Sequence, residues 1–217
     1  MTRMENSAAF SRRALLKTGG ALVVSIGMPM SLETLLAVSE AHAQGAKPPL
    51  TPDQLSSYIA VNADGTVSAF FGKMDMGHGL FVAIGQIVAE ELDVPFKAVK
   101  VYMGDTANSV NQGGASGSTG IQLGGKQMRV AAAEARRVLV DMAAEKLGVP
   151  ADQLDVVDGI VRAKSDASKS VSYKDLIGGR YFNVPLEWNN EYGNTLYAPG
   201  KAKPKDPKDH KDRKSVV

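Results

Sequence analysis

The sequence predicts an α+β fold: two β-hairpins and a further strand packed with two main helices. Three observations carry it. Asp64-Gly65 and Asp158-Gly159 each stand between short runs rich in β-formers, the pattern of a tight hairpin. Two longer segments repeat their apolar residues at the helical period. Each of those segments is closed by a stop, Asp93-Val94-Pro95 or Gly148-Val149-Pro150.

The elements follow in order. Residues 57–62 and 66–72 alternate around the first turn and form the first hairpin. Asp75-Met76-Gly77-His78-Gly79 is a glycine-rich turn. From Leu80 to Leu92 the residues at 80, 84, 87, 88 and 92 are apolar, the stripe of a buried helix, with Glu90 and Glu91 near its end. Residues 98–103 read as a strand. The stretch 104–125 is glycine-rich without a hydrophobic period, and a loop of that length in a small domain is usually functional or disordered. Lys126–Leu147 is a long helix whose charged residues, Arg129 and Glu134 among them, fall mostly off its apolar stripe. Leu154–Val157 and Ile160–Ala163 form the second hairpin. Ser172 is the N-cap of a short helix.

The two ends read differently. Ser11-Arg12-Arg13-Ala14-Leu15-Leu16-Lys17, an apolar stretch at 21–30 too short to span a bilayer, and Ala41-His42-Ala43 form a twin-arginine export signal over residues 1–43. Such a signal implies a periplasmic protein exported already folded, often around a cofactor. No transmembrane segment is expected after its removal. The span 201–217 is rich in Lys, Asp and Pro, and is expected to be a charged linker or tail that packs against nothing. Residues 44–200 are the domain proper.

Composition narrows the chemistry. The 217 residues include no Cys, which excludes iron–sulfur ligation, a thiolate nucleophile and disulfides within this chain. Of the three histidines only His78 lies in the domain, so a multi-His metal site is excluded. The net charge of +2 comes from the ends; residues 44–200 hold fourteen basic and seventeen acidic residues, with no footprint for nucleic acid.

Two glycine-rich turns run straight into helix starts, 77–79 before Leu80 and 113–125 before Lys126. Helix N-termini present unpaired N–H groups and positive potential, and glycine lets an anion approach the backbone. The pair points to a phosphate-bearing ligand. The candidate cofactor-binding residues are Gly77, His78 and Gly79, and Gly114, Ala115, Ser116, Gly117, Ser118 and Thr119. No catalytic residue and no metal ligand is assigned. Asp75 and Asp105 are ordinary as turn residues and also available as site carboxylates. Gly120–Lys126 imitates a P-loop, but Gln127 replaces the hydroxyl that holds magnesium.

Asp75-Met76-Gly77-His78-Gly79, Gln86-Ile87-Val88-Ala89-Glu90-Glu91-Leu92, Gly104-Asp105-Thr106 and Gln112-Gly113-Gly114-Ala115-Ser116-Gly117-Ser118 together resemble the molybdenum-binding subunit of the xanthine dehydrogenase/aldehyde oxidase family. The likeness is to its exported branch, typified by the isoquinoline 1-oxidoreductase β subunit, and covers residues 55–147 and more loosely the chain to about 200. The resemblance implies a molybdopterin cytosine dinucleotide cofactor and hydroxylation of N-heterocycles or aldehydes with water. It implies as partners the remainder of the molybdenum subunit, a [2Fe–2S] small subunit and a c-type cytochrome acceptor. The family motif is Glu-x-Gly-Gln-Gly, so Asp75 stands for its Glu and His78 for its Gln. The family's subunit is several times longer and carries its catalytic glutamate far downstream. The chain therefore reads as an N-terminal portion, part of a larger molybdopterin-binding domain and inactive alone. The alternative is a non-catalytic periplasmic binding or assembly module using the same anion-ready loops.

Overall fold

A computed structural model describes residues 47–187 and 201–211. The export-signal segment 1–43 lies outside the described residues.

The first layer is a three-stranded sheet in the order β1 (Ile59–Val61), β2 (Val67–Phe71), β3 (Val99–Met103). β1 and β2 are the expected hairpin, with Val61 opposite Val67; Asp64 accepts from the Thr66 N–H and hydroxyl inside the turn. β3 joins on the other side of β2, parallel, with Phe71 opposite Met103. Parallel neighbours need a crossover, and helix α1 (Leu80–Leu92) supplies it. Every residue of β2 is buried, as expected for a central strand covered on both faces.

Helix α1 buries Leu80, Ile84, Val88 and Leu92, the stripe read from the sequence. It ends at Asp93, which takes the left-handed conformation at φ 52°. Helix α2 (Lys126–Leu147) packs on α1 and runs to a left-handed Gly148. The segment 120–125 before it is a π-helical turn continuous with α2. Its glycines serve close packing: a Cβ on Gly124 would lie 2.6 Å from the Phe71 ring, and one on Gly120 would lie 3.0 Å from Leu80.

The second sheet is antiparallel, in the order β4 (Leu154–Val157), β5 (Ile160–Ala163), β6 (Ser170–Ser172). Asp158 and Gly159 both have positive φ, the primed hairpin turn that Asp-Gly favours. The capped helix α3 (Tyr173–Ile177) follows, its Asp175 N–H bonded to the Ser172 hydroxyl. One continuous core joins both sheets and helices, from Leu55 and Phe71 through Leu139 to Val161 and Tyr173.

Two expectations need correction. Glu134, read as off the apolar stripe, is 1% exposed and does not point to solvent; Glu91, near the end of α1, is 0% exposed as well. Residues 201–211 do pack: the Ala202 N–H donates to Glu134 at 2.8 Å, and the Lys205 N–H donates to both Glu91 oxygens at 3.1 and 3.2 Å. Buried carboxylates need donors, and this polar segment supplies them where its composition offers no apolar surface to bury.

Candidate functional site

The site is built on the two loops that precede the helices. In the first, Asp75 organises the turn. Its Oδ1 accepts from the N–H groups of Gly77 and His78, at 2.9 and 3.0 Å, and its Oδ2 accepts from the Phe81 N–H at 2.9 Å. The Phe81 bond, followed by those of Gly77 and His78, holds the carboxyl below the ordinary range. Asp75 therefore caps α1 itself. This corrects the expectation that the helix start offers its N–H groups to a ligand: the Phe81 N–H is already taken by an internal anion. Gly77 and Gly79 have φ of 92° and 77°, so the turn demands glycine there.

His78 stands half exposed at the tip. The Met76 N–H donates to its Nδ1 at 3.2 Å, so Nδ1 is the acceptor and Nε2 is left as the ring's N–H donor. Asp75 Oδ1 lies 3.4 Å from Nδ1.

The second loop is held from beneath by side chains that sequence reasoning did not single out. Gln112 is fully buried; its Oε1 accepts from the Gly72 N–H at 2.6 Å and its Nε2 donates to Gln127. Lys73, 1% exposed at the end of β2, donates from Nζ to the Gly114 carbonyl at 2.9 Å, and burial lowers its pKa. The Thr119 hydroxyl donates to the carbonyls of Ser116 and Gly114, at 2.7 and 3.1 Å, so it clasps the loop and is not a spare donor. Asp105 is likewise a turn residue, bonded to the Ala107 N–H and the Asn108 amide. Polar residues at the end of an apolar strand, as in Phe71-Gly72-Lys73, were the available sign of this support.

The loops meet. His78, Leu80, Ala115, Ser118 and Gln122 line one open cavity of about 490 Å³. A second, of about 530 Å³, is lined by Lys73, Asp105, Asn111, Gly114 and Ala115, so the two share Ala115. Gly77, Gly79, Ser116, Gly117 and Thr119 shape the loops without lining either cavity. Gly114 is singular: its φ is not positive, and a Cβ there would meet nothing within 4 Å. Neither a positive φ nor packing among the described residues requires glycine at this position. Among the described residues no group of three or more His, Asp or Glu is placed to hold a metal ion.

A family model described as molybdopterin cofactor-binding domain matches residues 15–215. The chain belongs to this family. A nicotinate dehydrogenase subunit of Pseudomonas putida is 36% identical over 159 residues, which are 73% of this chain and 13% of that protein. The isoquinoline 1-oxidoreductase β subunit of Brevundimonas diminuta is 27% identical over 174 residues, 77% of this chain and 22% of that protein. Among solved structures, quinoline 2-oxidoreductase from Pseudomonas putida 86 is 24% identical over 54% of this chain and 15% of that one, with a TM-score of 0.49. The chain thus spans under a quarter of the length of these relatives.

For a molybdopterin cofactor-binding domain the loops offer a fitting cradle. Gly114 leaves room that any side chain would fill, beside two adjoining cavities that suit an elongated polar group. Ser118 and the His78 ring add hydrogen-bonding groups at one cavity, and the Lys73 ammonium adds positive charge at the other.

Proposed function

We propose that this chain supplies part of the cofactor-binding wall of a periplasmic molybdenum hydroxylase subunit and is inactive alone. The observation that carries the reading is the meeting of the 76–80 and 114–122 loops around adjoining cavities, with a glycine at 114 that the chain itself does not need. The 36% identity to a nicotinate dehydrogenase subunit and the 27% identity to an isoquinoline oxidoreductase subunit support oxidation of N-heterocycles, with aldehydes as the related class.

When bound, the molybdenum–pterin group supplies the two-electron acceptor at which a substrate C–H becomes C–OH, with oxygen from water and release of two protons. The contribution of this chain is binding and orientation. The Lys73–Gly114 bond fixes the second loop, and Asp75 fixes the first. Through its Nε2–H, His78 donates where a glutamine amide would donate in the family motif. The cofactor is assigned as the cytosine dinucleotide form. Electrons leave to a [2Fe–2S] small subunit and onward to a c-type cytochrome. Twin-arginine export, read from Arg12 and Arg13, places the protein in the periplasm.

Amide hydrogen exchange of the full chain, with and without molybdopterin released from a molybdenum enzyme, tests the reading. Added protection confined to 76–80 and 114–122 is expected. Protection elsewhere, or none, contradicts it. Replacing Arg12 and Arg13 with Lys should abolish periplasmic recovery; unchanged recovery would reject the assigned address.

A further inference from the structure

We infer that the groove along α1 and α2 is a recognition surface for a lysine-bearing segment, and that residues 201–211 occupy it through contacts of their own and not merely because the chain tethers them there. The groove is built from carboxylates. Glu91 on α1 and Glu134 on α2 are 0% and 1% exposed, in a helix pair whose other inward residues are mostly apolar. An ionised carboxylate at such a depth is strongly disfavoured unless its oxygens are paired. α2 supplies one partner to each carboxylate: Arg129 Nε lies 2.8 Å from Glu91, and Arg137 lies 2.6 Å from Glu134. The remaining capacity is filled by backbone N–H groups of the segment, Ala202 to Glu134 and Lys205 to Glu91. Arg129 also donates to the Lys205 carbonyl, so Lys205 is gripped through its N–H and its C=O together.

Charge then selects the side chain. Lys205 Nζ reaches Asp93 at 2.6 Å and the Glu90 carbonyl at 2.5 Å. Lys211 Nζ lies 3.1 Å from the same Asp93, and its N–H donates to Glu90 at 2.9 Å. The C-terminal end of α1, where carbonyls are unpaired and the dipole is negative, favours cations in any case. The occupant is thus specified by backbone N–H groups at Ala202 and Lys205 and by two lysines six residues apart, on either side of the 3-10 turn Pro207–Asp209. Hydrophobic contact plays little part, which is why composition hid it. From Glu91 back to Leu80 is eleven residues of helix, about 17 Å at 1.5 Å per residue. None of the groove's residues lines either loop cavity, and this inference stands or falls independently of the proposed function.

Hydrogen exchange at residue resolution on the full chain is the first test. The amides of Ala202, Lys205 and Lys211 should be protected, and the paired variant Glu91→Gln with Glu134→Gln should lose about tenfold of that protection at Ala202 and Lys205, as expected when a charge-assisted bond becomes neutral. Amides of the β4–β5 hairpin, unchanged in the variant, would show that the fold persists. The second test cuts the folded chain at a protease site introduced within 188–200. The C-terminal piece should stay bound in dilute buffer and leave at roughly 1 M salt, where the Debye length falls to about 3 Å. Exchange of Ala202 and Lys205 at the rate of an unstructured peptide, or release of the piece in dilute buffer, would overturn the inference.

Discussion

Gly124 and Gly125 are neighbours in the π turn, yet replacing each with Ala should move stability in opposite directions. Both positions are helical, where Ala is favoured over Gly by about 0.8–1.0 kcal/mol. At Gly125 the new Cβ lies 3.3 Å from the Ile87 Cδ1, the free end of a partly buried side chain that can shift by tenths of an ångström. At Gly124 it lies 2.6 and 2.8 Å from two atoms of the Phe71 ring and 3.1 Å from Lys73 Cδ. Phe71 and Lys73 are 0% and 1% exposed, so neither can swing into solvent. Overpacking of this kind costs roughly 1–3 kcal/mol, and a rigid buried ring places it near the upper end. After the helix gain, Gly124→Ala should lose about 2 kcal/mol, or roughly 4–8 °C in Tm at 2–4 °C per kcal/mol for a domain of this size. Gly125→Ala should be unchanged or up to about 3 °C more stable. Thermal denaturation followed by circular dichroism reads both. A Gly124→Ala protein as stable as the parent would refute the packing of Phe71 beneath the loop.

Three further outcomes are expected. Asp75→Ala should speed exchange at the Gly77, His78 and Phe81 amides while the β4–β5 hairpin stays protected; because the Asp75 pKa is lowered in the fold, the same loosening should appear in the parent only as pH falls below the ordinary carboxylate range. Burial alone would raise the Glu134 pKa, but Arg137 and the Ala202 and Lys201 N–H groups outweigh it and hold it low. Its share of stability is therefore present above the ordinary glutamate pKa and lost on acidification, so Glu134→Gln should flatten the acid limb of Tm against pH. Tyr173→Phe removes the buried hydroxyl that donates to the Leu92 carbonyl at 3.0 Å, at a cost of about 1 kcal/mol, readable as a drop in the urea midpoint.

Much of the fold was legible because its signals were local. The helices Leu80–Leu92 and Lys126–Leu147 and the hairpin around Asp158-Gly159 stand where periodicity and turn chemistry put them. What the residues concealed was set by tertiary partners. β6 is three residues, Ser170–Ser172, and exists because β5 pairs with it. The glycines at 120, 124 and 125 look like loop, yet they let the π turn press against Leu80, Phe71 and Ile87. Glu134 breaks the helical stripe and is buried because a charged segment distant in sequence brings it donors. At the candidate site the nearness of the two loops followed from both preceding helices that pack together. The filled N-terminus of α1 did not, although an Asp two residues before a glycine is a recognised sign of a side-chain-closed turn. Lys73 works from below the surface, where no motif marks it, and Gln112, although it opens the 112–118 motif, acts from below as well and not at the ligand face.

The central claim is that the open space beside Gly114 is there for the cofactor. Within the full-length subunit, Gly114→Val puts a branched side chain into that space, where its Cβ meets nothing of the described residues within 4 Å. Molybdenum and pterin content of the purified protein, measured beside Tm, tests it most directly. Loss of both at an unchanged Tm is the predicted result; full cofactor content in the Val variant would contradict the assignment.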